Sequence, residues 1–182
     1  MNVSANRIIA GAIALFVLSF AAYAADKKAG PTADGMVEYK DAKHNFKFKY
    51  PSAWQKTTVK DAVIAFGSGP NETAVTMERA KNVKRTENNL DVIMAESEIQ
   101  IRKDFDEVRN IREKTVEFAG FPGRSVQFRG RKDTVWIEMN LTFTVAAGEF
   151  YMMTTASTAD NYPTMEQTFN SITASFELTK KK

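Results

Sequence analysis

TVWIEMNLTFTV, residues 134–145, carries a period of two. Val135, Ile137, Met139, Leu141, Phe143 and Val145 are apolar, while Glu138, Asn140, Thr142 and Thr144 hold the opposite parity, with Trp136 as the one exception. Side chains alternate across a pleated strand, so this run buries one face and turns a mostly polar face outward. A half-polar strand belongs in an antiparallel sheet, because parallel strands are covered on both sides and read as continuous apolar runs.

Its neighbours in the chain supply its partners. Residues 124–129 alternate again, with Val126 and Phe128 on one face, and 130–133 form a four-residue hairpin loop into the long strand. Ala146-Ala147-Gly148-Glu149 closes a second hairpin, after which 150–156 returns as a strand apolar on both faces. A meander follows from this order. Residues 108–111 and 115–118 also have strand composition, and Gly120-Phe121-Pro122-Gly123 turns the chain behind them.

Farther upstream, Phe46, Phe48 and Tyr50 alternate with Lys47 and Lys49 in a strand ended by Pro51, which has no backbone donor for a ladder; Trp54 follows. Residues 62–66 and 73–79 read as two short strands around the turn chemistry of Gly67-Ser68-Gly69-Pro70-Asn71. Between 80 and 106 the period changes. Leu90, Met94, Ile101 and Phe105, with Ile93 and Ser97 beside them, share one face at helical spacing. This predicts the main helix over 90–104, capped by Asn88 or Asn89, with Glu96, Glu98, Arg102 and Lys103 on its wet side. Met165, Phe169 and Ile172 predict a short second helix behind Asn161 and Pro163, and 174–178 returns as a last strand.

The ends have a different character. Arg7, the apolar run 8–22 and Ala22-Tyr23-Ala24 are the three parts of an export signal, and the run falls short of the ~20 residues of a membrane-spanning helix. We therefore expect a signal peptide at 1–24, a flexible leader at 25–35 broken by Gly30 and Pro31, one domain at 36–178 and a basic tail at 179–182. The 182 residues contain no cysteine, so an exported domain must hold by packing alone and lacks the residue a bacterial lipid anchor requires. Removing Arg7 from a formal net charge of +3 leaves +2 on the mature chain. Lysine and arginine are spread along it without the basic stripe and interleaved aromatics of a nucleic-acid footprint.

Signals for chemistry are sparse. His44 is the only histidine and sits in the polar turn Asp41-Ala42-Lys43-His44-Asn45, where solvent exposure is the default. Glu96 and Glu98 are two apart on a helix and cannot face each other, and Asp104, Asp106 and Glu107 crowd a helix end. Met139, Met152 and Met153 are soft thioethers suited to cuprous ion, but methionine is far more often a core filler. We expect no enzyme activity, no cofactor and no metal site. Asn71 and Asn140 head glycosylation patterns, relevant in a eukaryotic secretory route. Lys81, Lys84 and Arg85 form a basic run suited to peripheral contact with an anionic membrane surface or simply to solubility. Arg124, Arg129, Arg131 and Lys132 cluster around one hairpin, with Trp136 on the polar parity of the next strand and Tyr151 beyond it. Tryptophan, tyrosine and arginine concentrate at interface hot spots, which makes these six residues the expected partner-binding surface.

Taken in order, Phe46-x-Phe48-x-Tyr50-Pro51-x-x-Trp54, paired strands, a helix, the Gly120-x-Pro122-Gly123 turn, a meander and a closing helix with Ile172-x-x-Ser175-Phe176 resemble the PsbP-like superfamily. The resemblance spans about Tyr39 to Phe176. It implies an α+β fold, an α/β/α sandwich with a central antiparallel sheet. Better-known members act as binding or accessory subunits of larger assemblies, so the resemblance implies an exported, non-enzymatic adaptor for an envelope protein or complex, in the periplasm or outside the cell. A small-ligand or lipid-binding module is the alternative, since methionine and aromatic residues on the meander could line a pocket beneath the main helix. Two features depart from the photosystem members of that group: the N-terminus reads as an ordinary export signal without an organelle transit segment, and a single histidine argues against a PsbP-type metal site. Intact-mass measurement of the protein exported from its host should give a chain beginning at Ala25; a mass retaining residues 1–24 would contradict the cleavage site.

Overall fold

The computed structural model describes residues 35–59, 62–68, 73–80 and 89–179. In chain order these form β1 (Met36–Asp41), β2 (Phe46–Pro51), β3 (Gln55–Thr57), β4 (Ile64–Gly67), β5 (Thr73–Ala80), α1 (Leu90–Asp104), β6 (Glu107–Phe118), β7 (Phe121–Lys132), β8 (Val135–Ala146), β9 (Glu149–Thr158), α2 (Tyr162–Ala174) and β10 (Glu177–Leu178). The export signal, the leader before residue 35 and the basic run at 81–85 lie outside the described residues, as does Asn71.

A seven-stranded antiparallel sheet in the order β3-β4-β5-β9-β8-β7-β6 forms the middle layer. One of its faces carries α1; the other carries α2 and a small sheet of order β1-β2-β10. The expected sandwich is therefore present, with a three-stranded sheet sharing its second outer layer.

Strand parity distributes the core. Ile137, Met139, Leu141 and Phe143 of β8 join Val126 and Phe128 of β7 and Phe150, Met152 and Ala156 of β9 beneath Leu90, Ile93, Met94 and Ile101 of α1. Each such aliphatic side chain contributes about 1.5–3 kcal/mol on burial. On the opposite face, Tyr151 and Met153 of β9 and Val75 and Met77 of β5 pack against Phe46 and Phe48 of β2 and Met165, Phe169 and Ile172 of α2. β9 is thus buried on both sides, as its continuous apolar composition required.

Several boundaries differ from the sequence expectation for local reasons. Asn89 occupies the N-cap of α1 but makes no side-chain cap bond. The two fragments expected at 108–111 and 115–118 are one strand, β6, joined through an irregularity at Asn110, whose φ is 56°. Ala119-Gly120, at φ 56° and 79°, is the turn between β6 and β7, and Pro122 and Gly123 lie inside β7. Ala147-Gly148, at φ 50° and 75°, turns β8 into β9 in the same way, as the twist of a two-residue hairpin demands. The loop expected at 130–133 shrinks to a turn at Asp133 and Thr134, and β10 starts only at Glu177 because α2 runs on to Ala174.

Gly130, inside β7, is held there by a close approach. A Cβ at this position would lie 2.4 Å from Cδ1 of Phe105, the residue that ends α1 and stacks edge-on against Phe128. Gly130→Ala should lower unfolding free energy by about 1–3 kcal/mol, the usual range for overpacking, measured by urea denaturation. Gly120→Ala tests only backbone strain, since nothing lies near its Cβ position. If Gly130→Ala were as mild as a solvent-exposed substitution, the Phe105 contact would not constrain the fold.

Candidate functional site

The six expected interface residues do not share one surface. Register pairs Arg124 with Phe143 and Lys132 with Val135, on the α1 face. There Arg124 holds Asp91 in the first turn of α1, its Nε donating at 3.0 Å, and Lys132 lies 3.8 Å from Asp106. Arg129 pairs with Glu138 and Arg131 with Trp136, on the opposite face. Tyr151 is on that face too, but 4% exposed within the second core, its hydroxyl donating to Glu149 at 2.7 Å. Its partner on β8 is Thr144, eight residues from Trp136, roughly 27 Å along the strand.

What remains of the cluster is joined by residues from β6. Arg109 pairs with Arg129, and Arg112 with Gln127, so Asn110 and Ile111 together oppose the single residue Phe128. This is a β-bulge. Residues 109 and 112 have opposite parity in a regular strand; the extra residue returns them to one face. The bulge therefore places Arg109, Arg112 and Lys114 beside Arg129 and Arg131, with Glu107 of β6 and Glu138 of β8 as the acidic members of the same face. α2 packs chiefly on β9 and β2, and this area is left open apart from the end where Phe118 and Ala146 enter the second core and the side of Glu138 toward Tyr162 at the start of α2. Ser125, Gln127 and Asn140 complete an open, polar sheet face, with Ser125 donating to Asn140 Oδ1 at 2.7 Å and Gln127 to Glu138 at 2.8 Å.

Trp136 is half-buried at the centre of the charged end and belongs to neither core. The Arg109 guanidinium lies 4.6 Å from its ring centroid and that of Arg131 6.0 Å away. Stacking of this kind contributes about 0.5–1 kcal/mol at exposed sites and fixes the orientation of the guanidinium. Glu107 bridges the two arginines, accepting from Arg109 Nε at 2.6 Å and from Arg131 Nε at 3.4 Å. The Arg109 hydrogen bond, with a further contribution from Arg131, holds the Glu107 carboxyl below the usual carboxylate range. Arg129 donates through Nη2 to Glu138 at 2.8 Å while its buried Nε finds no acceptor among the described residues. Arg112 and Lys114 make no ion pair among the described residues and are exposed.

The other candidates fall elsewhere. His44 Nδ1 lies 2.8 Å from Asp41 Oδ2, and the His44 backbone donates to Asp41 Oδ1 at 2.9 Å. This closes the β1–β2 turn. Met139 and Met152 lie under α1 and Met153 on the opposite face, so the three thioethers cannot converge on one ion. They and the meander aromatics fill the two cores. Asn140 sits in mid-strand, bound by Ser125. No group of three or more histidine, aspartate or glutamate side chains converges as a metal site among the described residues. Trp136, apolar on a polar parity, was the sequence's pointer to this surface; its β6 half was hidden behind the bulge.

An antiparallel sheet sandwiched between one long helix and a mixed helix-and-sheet layer defines an α+β scaffold used by several unrelated-looking proteins. The profile of the PsbP-like protein family matches residues 27–178, and the chain belongs to that family. Among solved structures, cyanobacterial PsbP (CyanoP) from Synechocystis sp. PCC 6803 superposes with a TM-score of 0.62 at 14% identity, over 84% of this chain and 98% of that one. LpqN of Mycobacterium tuberculosis, described as involved in cell envelope biogenesis, matches at 0.56 and 9%, over 81% and 87%. The Saccharomyces cerevisiae Ran-binding protein Mog1p matches at 0.56 and 6%, over 80% and 96%. At such identities the likeness is one of fold. No curated protein sequence gives a significant match.

The Asp41 turn carries a pH dependence. Burial alone raises the Asp41 carboxyl, but the His44 side-chain and backbone hydrogen bonds outweigh it and leave the group below its ordinary value. A carboxyl depressed by folding adds stability above its unfolded pKa and loses it as pH falls through the folded value, here below about pH 4. Asp41→Asn should cost about 1 kcal/mol at pH 7 and less at pH 3, read from urea unfolding at both values. An equal cost at both pH values would show that Asp41 acts through packing alone.

Proposed function

We propose that this protein is an exported, non-enzymatic accessory subunit that docks an envelope protein through the open face of β6, β7 and β8. The observation that carries this reading is the composition of that face. A tryptophan with two arginine guanidinium groups against its ring, bordered by further cations and amides, stands on the part of the sheet's second face that the second core leaves open. Arginine and tryptophan are the side chains on which interface energy concentrates, and here stacking already restricts their rotamers before a partner arrives. The export signal supports an envelope location, and the description of LpqN as a cell envelope biogenesis protein agrees with it. Lys114 at the face's edge is exposed and makes no ion pair among the described residues, so it tolerates replacement.

A photo-crosslinking amino acid at Lys114 should capture one envelope protein in living cells, whereas the same probe at Lys103 on the exposed side of α1 should not. Trp136→Ala combined with Arg131→Ala should reduce the Lys114 crosslink at least tenfold while the protein remains folded by circular dichroism. Capture from Lys103 in place of Lys114, or a crosslink indifferent to the double substitution, would refute the assigned surface.

A further inference from the structure

The spacing of charge on the open face identifies the chemistry it recognises. On β7, Arg129 and Arg131 are two residues apart, and on β6 Arg112 and Lys114 repeat that interval, so each row presents cations about 7 Å apart. Alternate side chains of an extended polypeptide have the same repeat. The face holds five cations, Arg109, Arg112, Lys114, Arg129 and Arg131, against two carboxylates, Glu107 and Glu138. Of the large exposed apolar residues, the usual insertion points for a lipid surface, Val37 on β1 and Val92 and Ile99 on α1 lie off this face, and Phe121, which shares its parity, stands at the other end of β7, ten residues or roughly 34 Å from Arg131. Charge complementarity and spacing thus favour an acidic, extended segment of a protein.

Within this face both carboxylates are paired with arginines, Glu138 with Arg129 and Glu107 with Arg109 and Arg131. A guanidinium stacked on a ring uses its π surface and leaves its N–H edge free for a planar acceptor. That edge of Arg109 is taken by Glu107, which also reaches Arg131. Arg109 is 60% exposed, and Glu107 and Arg131 are each 36% exposed, so a partner's carboxylate can approach both arginines from solvent. Among the described residues Glu107 is tied to the fold only through these arginines and its strand pairing, which leaves its partly exposed carboxylate open to displacement. We infer that Arg109, Trp136 and Arg131 form a carboxylate-binding site for an acidic extended segment of the docked partner, and that Glu107 is an intramolecular competitor occupying the site until that segment displaces it. This rests on the docking reading above and adds its ligand chemistry. Removing an acid from the chain is expected to strengthen acid binding for a local reason, beyond the general change in net charge.

The test uses a fluorescein-labelled ten-residue peptide of alternating Glu and Ser, with anisotropy titration of the full mature chain. Glu107→Gln should tighten binding three- to tenfold. Glu113→Gln makes the same change in net charge on the opposite face, where Glu113 pairs with Val126, and should leave affinity unchanged. Arg109→Gln and Arg131→Gln should each weaken binding at least tenfold, with circular dichroism confirming the fold, and Arg→Lys at either position should recover only part of it. Equal tightening by Glu113→Gln, or no tightening by Glu107→Gln, overturns the competitor role. Tighter binding of phosphatidylglycerol vesicles or dextran sulfate than of the peptide overturns the assignment of a polypeptide ligand, as does absence of peptide binding at millimolar concentration. If the Lys114 crosslink persists while the peptide fails, the docking surface stands and its carboxylate chemistry falls.

Discussion

A long antiparallel strand has two faces, and the second must be either wetted or covered by something whose polar groups are satisfied. The central sheet resolves this differently from one strand to the next. At β9 both faces are closed, by α1 on one side and by α2 and the small sheet on the other, and its residues from Phe150 to Ser157 are all buried. At β8 the α1 face is closed from Ile137 to Phe143, while the opposite face passes from buried Thr142 and Thr144 to partly exposed Asn140, Glu138 and Trp136. At β7 and β6 that second face is open. The graded covering leaves the open face rigid, because the same strands are anchored from behind by α1, and rigid sheet positions hold charged side chains in fixed register.

How far this could be read from the chain depended on whether parity survived. The alternation from Val135 to Val145 specified a half-buried strand, and the helical spacing of Leu90, Met94 and Ile101 specified what covered it; both are observed. Turn positions were displaced where the chemistry was ambiguous. Pro122 and Gly123 look like a turn, yet the chain reverses at Ala119-Gly120, and position 123 is glycine inside β7 because a Cβ there would meet the Phe143 carbonyl oxygen at 2.6 Å. Gly130 likewise looks like a loop residue and is a strand residue crowded by the ring of Phe105. In both places glycine records a close approach from another element, which local sequence does not contain.

The bulge had the largest consequence for the site. Arg109 and Arg112 are three apart, so a simple strand separates them, and the fragments around them looked like two short strands. Asn110 in the left-handed region supplies the missing residue of the count. Asparagine tolerates that conformation better than most side chains, but nothing local distinguishes a bulge asparagine from any other. Three of the five cations of the basic face therefore have no local signal, and parity sends Arg124 and Lys132, close to Arg129 and Arg131 in the chain, to the α1 side.

Surface arginines that are fully paired to neighbouring acids contribute little to stability, about 0–1 kcal/mol per exposed pair. Stability is accordingly a weak reason for concentrating them on the one sheet face that the fold leaves open. The pairs on this face also differ in kind. Glu138 is the less exposed acid, and it accepts from both Arg129 and Gln127, so moving it would strand two donors at once. Glu107 sits at the beginning of an edge strand, more exposed, with two guanidinium groups as its side-chain partners. On the proposed docking, a partner carboxylate with additional contacts along the rows of cations would replace Glu107 one for one, the arginines staying paired and Trp136 keeping them in place. Exchange of one carboxylate for another would avoid the desolvation cost that a bare arginine cluster imposes, which is the physical reason for an acid of the chain's own to occupy the site beforehand.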